Sequence, residues 1–180
     1  MKDTVTLMKR AAQARREGHL ADAQRDYAAA VAICRRIDAP RELVQALKGL
    51  GQIERDLGQG DAARTLYEEA VTICRELHDL GTLAHTVRHL GDFHQDAGRM
   101  ELAEPCYQEA LALYRGDERT APLDLANAIR PLAILREYAG RVEEAKRLWE
   151  EARGLYASAH VQEGVDESTA RLARLSHQAP

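Results

Sequence analysis

Aromatic side chains are scarce in this chain of 180 residues: one Phe, one Trp and six Tyr make up 4% of it. A core built mainly from stacked rings is excluded, so small residues must do much of the packing. Cysteine is equally sparse. Cys34, Cys74 and Cys106 are odd in number and far apart, without the CxxC or Cys/His spacing of a zinc site. They read as small hydrophobic side chains in a reducing compartment. No apolar run approaches the roughly 20 residues of a membrane span, and the first ten residues, MKDTVTLMKR, carry no leader-like stretch. The cytoplasm is the expected location, with no membrane partner.

Neither sign of charge dominates. Lys and Arg total 25 against 29 Asp and Glu, a net charge of −4, which disfavours nucleic acid as a partner. There is no Gly-rich phosphate loop, nucleophile elbow or HExxH pair, so neither an enzyme nor a cofactor is expected. No stretch alternates polar and apolar residues with β-branched enrichment, and no strand is expected.

What the chain does have is a repeat. Gly18, Gly58 and Gly98 lie forty residues apart. Ala23, Ala63 and Ala103 follow at one fixed offset, then Tyr27, Tyr67 and Tyr107, then Ala30, Ala70 and Ala110. A fourth copy runs from Gly140 through Ala145, Trp149 and Ala152. Leu50-Gly51, Leu90-Gly91 and Leu132-Ala133 form a second ladder, continued by Leu172-Ala173 and weakly begun by Arg10-Ala11. Each unit reads as two helices. Leu43, Leu47, Leu50 and Leu57 fall at helical spacing, Gly58-Gln59-Gly60-Asp61 reads as a break and a cap, and Ala63, Leu66, Tyr67, Ala70 and Cys74 form a wide apolar face. The small residues allow close helix crossings, and the aromatic of each unit is expected to fill the wedge to the next hairpin. Pro131 cannot donate to the carbonyl of Asn127 and is expected to kink its helix or to mark a later helix start.

These ladders resemble the tetratricopeptide repeat family, in its longer-period, kinesin-light-chain-like branch. The period here is 40 to 42 residues rather than the usual 34. The resemblance implies an all-α, right-handed superhelical solenoid of antiparallel helix hairpins with about nine helices. Units are expected at about 4–43, 44–83, 84–125 and 126–164 of a single domain, 1–180, with a C-terminal capping helix at about 165–176. The extra residues are expected in connectors around Asp38 to Glu42 and Leu77 to Leu80.

The resemblance also implies a function: a protein-interaction scaffold that takes a peptide or partner surface on the concave face formed by the first helices. Carried onto this sequence, that face comprises Lys48, Gln52 and Arg55, then His85, Arg88, Asp92 and Gln95, then Asn127, Arg130 and Glu137. Lys48, Arg88 and Arg130 share one repeat position, so an acidic segment or C-terminal carboxylate is the expected ligand. Internal pairing, Arg88 with Asp92 for instance, is the alternative. The family's carboxylate clamp is expected to be absent, because Gln52, His89 and Pro131 stand where its Asn, Asn and Arg would be. His85 and His89 lie one turn apart, but His94 belongs to the packing face, so no metal site is expected. A self-associating structural module, dimerising through a less shielded N-terminal end, is the other reading.

Overall fold

The computed structural model describes residues 2–177. Among them the chain is all α-helix, in the order α1 (Lys2–Arg16), α2 (Leu20–Arg36), α3 (Pro40–Asp56), α4 (Gly60–Glu76), α5 (Leu80–Asp96), α6 (Met100–Arg115), α7 (Pro122–Tyr138), α8 (Val142–Ser158) and α9 (Gln162–Ser176). This is an all-α repeat fold of the solenoid class. By contacts it falls into two compact units, one ending at Phe93 and one beginning at His94.

The long period is spent on helix rather than on loop. The helices α2, α3 and α4 each run 17 residues, and only three residues separate one from the next. The first helices therefore begin about one turn before the expected unit starts at Val44, Ala84 and Ala126, and α9 begins at Gln162 rather than near 165. Proline explains two of these early starts. Pro40 and Pro122 occupy the first turn, where the missing N–H has no partner to lose. The α7 helix starts earlier than expected, not later, and continues through the buried Pro131.

Both kinds of junction use one turn. After α3, Gly58 has φ +76, its N–H donates to Arg55 O at 2.9 Å, and Gln59 N–H reaches back to Glu54 O at 2.8 Å. That is the Schellman pattern, which places its C′ residue in the left-handed region. After the second helices α2, α4 and α8 the same turn lacks glycine, while α6 runs into a longer connection that begins at Gly116. Asp38, His78 and His160 take φ of 52, 52 and 58, with Ala39 N–H to Cys34 O at 3.0 Å and Val161 N–H to Tyr156 O at 2.9 Å. The expected side-chain cap at 58–61 is not formed: the N-cap residue of α4 is Gln59, without a side-chain cap bond. A side-chain cap does open α5, where Asp79 Oδ1 accepts Thr82 N–H at 3.1 Å and Thr82 Oγ1 donates to Asp79 Oδ2 at 2.9 Å.

In the N-terminal unit α1 packs on α2, α2 on α3, and α3 on α4, with α1 also meeting α3. Tyr67 shows what the small residues are for. A Cβ on Gly51 would lie 2.6 Å from the Tyr67 ring, and one on Gly49 would lie 2.1 Å from the Tyr27 ring. On its other side Tyr67 meets Phe93 at 4.8 Å and His89 at 5.8 Å between ring centroids. In the C-terminal unit α6 packs on α7, α7 on α8, and α8 on α9. Tyr107 and Trp149 are fully buried there. The connection 116–121 closes on itself: Arg119 binds both carboxylate oxygens of Asp117, and Thr120 Oγ1 donates to Tyr114 O.

Candidate binding face

In the N-terminal unit the candidate residues come from α3 and α5. Helical spacing brings His85, Arg88, His89 and Asp92 onto one stripe of α5. Arg88 Nη1 lies 3.3 Å from Asp92 Oδ2, and Arg88 Nη2 is 2.8 Å from His89 Nε2. His89 Nδ1 is 3.1 Å from the same Asp92 oxygen. A guanidinium has no acceptor, so His89 Nε2 must accept from Arg88 and Nδ1 must carry the proton toward Asp92. Arg88 and Asp92 offset one another's charge, and His89 bridges them as a neutral ring. Burial, the largest cause, depresses the His89 pKa, which agrees with that state.

His85 stands beside this set, its ring centroid 4.5 Å from that of His89. Its Nδ1 is buried without a hydrogen-bond partner. Burial first, then the charge of Lys48, pushes its pKa down to about 3. Lys48, on α3, is half-buried and takes part in no hydrogen bond or ion pair among the described residues. Its pKa is lowered, chiefly by burial. Farther along α3, Gln52 donates to Asp56 at 3.2 Å, and Arg15 of α1 binds Asp56 at 2.6 Å. Arg55 lies over the Phe93 ring at 5.5 Å.

One turn before Lys48 and His85 is a cavity of about 360 Å³. Val5 and Met8 of α1, Val44 and Gln45 of α3, Cys74 and Leu77 near the end of α4, and Asp79 and Thr82 at the start of α5 contribute to its wall. Arg41 and Glu42 also line it.

In the C-terminal unit the candidates are engaged with neighbours. Gln95 accepts the Tyr107 hydroxyl at 3.0 Å, and Asn127 accepts that of Tyr156 at 3.0 Å. Arg130 forks onto both oxygens of Glu167 at 2.6 and 2.9 Å. Glu137 accepts the Trp149 indole N–H and pairs with Arg171 at 3.2 Å. A cavity of about 280 Å³ lies between α7, α8 and α9, lined in part by Leu123, Tyr156 and Gly164.

Among the described residues no three His, Cys, Asp or Glu side chains could hold a metal ion, and no helix is long and apolar enough to cross a membrane.

Sequence reasoning missed the Arg10–Asp26 pair, which joins α1 to α2 by two hydrogen bonds, that from Arg10 Nη2 being 2.7 Å. Asp26 is buried, and the hydrogen bond from Arg10 holds its carboxyl below the usual value. The signal was present: Arg10 and Asp26 stand forty residues before Leu50 and Leu66. A paired departure from two leucines marks a pair in contact. The cavity left no such mark, because its residues come from four helices and share no repeat position.

The family model described as "Tetratricopeptide repeat" matches residues 3–76 and 42–116. No curated protein sequence matches the chain. Among solved structures, BtubC (BKLC) from P. vanneervenii is similar with a TM-score of 0.71 and 19% identity, over 94% of this chain and 80% of that one. A kinesin light chain with nearly identical repeats, named as putative, from Podosopora anserina gives 0.77 and 19%, over 96% and 84%. The Rap conjugation gene regulator of plasmid pLS20, solved in complex with the Phr* peptide, gives 0.81 and 18%, over 99% of this chain but 48% of that one.

Proposed function

The chain belongs to the tetratricopeptide repeat family, and from that premise we propose that it is a protein-interaction scaffold that takes an acidic peptide segment or terminal carboxylate on the first-helix face of its N-terminal unit. The observation that carries this reading is Lys48. A half-buried ammonium that makes no hydrogen bond or ion pair, and has the Asp79 carboxylate only beyond ion-pair distance, has lost part of its hydration, so an incoming carboxylate restores what burial removed. Arg88 is spent on Asp92, which leaves Lys48 as the cation of this face, and the apolar cavity one turn away offers room for a side chain next to the acidic group. A peptide is also what the Rap regulator holds in its complex. The forked pairing of Arg130 with Glu167 makes Lys48 the stronger ligand-facing cation of the two.

Gln45, Gln52 and Arg55 would flank such a ligand, and Asp92 and Asp56 would oppose acidic groups in the wrong register. The role is binding, not catalysis.

The test is a random peptide display selected on the wild-type protein and on Lys48→Glu. Enrichment of Asp and Glu by the wild type, lost or reversed in Lys48→Glu with an unchanged circular dichroism spectrum, supports the reading. Identical selections from both proteins reject it.

A further inference from the structure

The junction between α8 and α9 differs from the others. Gly18, Gly58, Gly98 and Gly140 supply the positive φ after first helices, Pro40 and Pro122 open α3 and α7, and Asp79 caps α5. The turn Ala159-His160-Val161 has no glycine, no proline and no side-chain cap. His160 holds φ at 58 all the same, a left-handed conformation that an L side chain disfavours. Among the described helices α8 is also the one without a basic residue in its last turn, so the negative end of its dipole lacks a nearby cation. If the turn straightens, Ser158 to Gln162 can carry α8 into α9 as one helix, because nothing in the segment breaks a helix.

The seat of α9 is light. The helix buries Gly164, Ser168 and Leu175, with Gly164 flat against the Tyr156 ring of α8, where a Cβ would collide. Glu167 accepts the fork of Arg130, and Arg171 lies over the Trp149 ring at 5.4 Å. These contacts join α9 to α7 and α8, and each is remade unchanged if α9 comes from another copy.

We propose that α9 is exchanged between two copies of this chain: the turn at 159–161 opens, α8 and α9 run on as one helix, and the α9 of each copy takes the seat of the other's. The short turn makes α8 and α9 an antiparallel pair, so two continuous helices laid side by side restore that pairing twice about a two-fold axis. Closed monomer and exchanged dimer share the contacts of α9 and differ at the hinge. There the dimer relieves two left-handed residues and gains helical hydrogen bonds, so it grows with concentration. The exchange does not depend on what the N-terminal unit binds. It joins two candidate binding faces in one particle, which would hold a partner carrying two acidic segments by both.

Arg130 and Glu167 provide the test. Arg130→Glu and Glu167→Arg each set like charges together within one chain, but an exchanged pair of the two variants regains one cation and one carboxylate in both seats. Equal amounts are unfolded in urea, refolded together at about 1 mM, the effective concentration of a seat on a short linker, and weighed by light scattering and native mass spectrometry. The expected product is a dimer with one chain of each variant, in excess over both homodimers. The wild type refolded in the same way should give monomer and dimer together. His160→Gly should lower the dimer association constant by about tenfold or more, because glycine relieves the turn without exchange and weakens the continuous helix. A wild type that stays monomeric, a dimer as strong in His160→Gly, or random pairing of the two folded variants each overturns the exchange. Where a charge-reversed variant does not fold, the wild type and His160→Gly decide between the two outcomes.

Discussion

Arg10 and Asp26 bind each other across α1 and α2 at the two positions that Leu50 and Leu66 hold in the next hairpin. Asp26 is buried and Arg10 is largely exposed, so the pair is an inward carboxylate clasped by a cation reaching in from the surface. Removing Arg10 alone leaves that carboxylate only the exposed Arg25, 3.8 Å away, whereas replacing both side chains with apolar ones removes the desolvation problem altogether. Arg10→Leu should therefore lower the thermal midpoint. The double variant Arg10→Leu/Asp26→Leu should recover it to the wild-type value or above. Scanning calorimetry on the two variants and the wild type checks the order. A double variant less stable than the single one would mean that the pair contributes specific structure beyond neutralisation.

Tyr67 is nearly inaccessible and lies against Gly51, Phe93 and His89. Tyr67→Ala should cost about 3–5 kcal/mol, the scale of a large aromatic cavity. Gly51→Ala acts from the opposite direction, since its Cβ would lie 2.6 Å from the ring. It should cost about 1–3 kcal/mol through overpacking. Urea unfolding measures both. A loss below about 1 kcal/mol for Tyr67→Ala would contradict the contacts described.

Asp38, His78 and His160 hold positive φ where Gly18, Gly58, Gly98 and Gly140 do the same at the other junctions. A side chain there costs about 1–2 kcal/mol, and glycine returns part of that as unfolded-state entropy. Each of Asp38→Gly and His160→Gly should therefore stabilise the fold by about 0.5–1 kcal/mol. Denaturant midpoints of these variants supply the check, and destabilisation would show that the native side chains make compensating interactions.

Two groups illustrate the acid limb of stability, to which the lowered values of His89, Asp56 and Glu167 add in the same direction. His85 has an ordinary value of 6.5 and a folded value of about 3, so its unfolded form binds a proton that the folded form refuses. Its contribution is complete above about 6.5 and is lost as pH falls toward 3, with a slope of up to about 1.4 kcal/mol per pH unit. Asp26, lowered from 3.8, contributes above that value and loses its contribution below it. Unfolding free energy measured from pH 7 downward should decline first through the histidine range, and His85→Phe should flatten that first decline.

The repeat ladder was legible because it reports constraints that recur locally. Ala23, Ala63, Ala103 and Ala145 all reach 0% exposure, and Tyr67, Tyr107 and Trp149 are buried as their shared offset implied. Helix starts were less legible, because Pro40 and Pro122 act on the first turn, one turn ahead of the apolar period that marked Val44 and Ala126. The turns at Asp38 and His78 were read as longer connectors, since positive φ leaves its usual trace through glycine and here glycine is absent. On the candidate face, sequence spacing placed Arg88 with Asp92 but not His89 between them. Nor could spacing reveal that Arg130 meets Glu167, a pair fixed by how two helices lie across each other.

The identity of the two kinds of turn bears on how such a chain can grow. Since three residues join the helices at the turns after α2, α3 and α4, the segment 40–79 is a complete module that starts on a helix and ends on a turn. Copied in tandem, it would join Asp79 to a second Pro40, and the new junction would keep the spacing of the old one. A duplication of twenty residues would instead exchange the parts played by first and second helices downstream, setting glycine-bearing faces where tyrosines are needed. Parity, rather than length, is what a viable insertion in this region must respect.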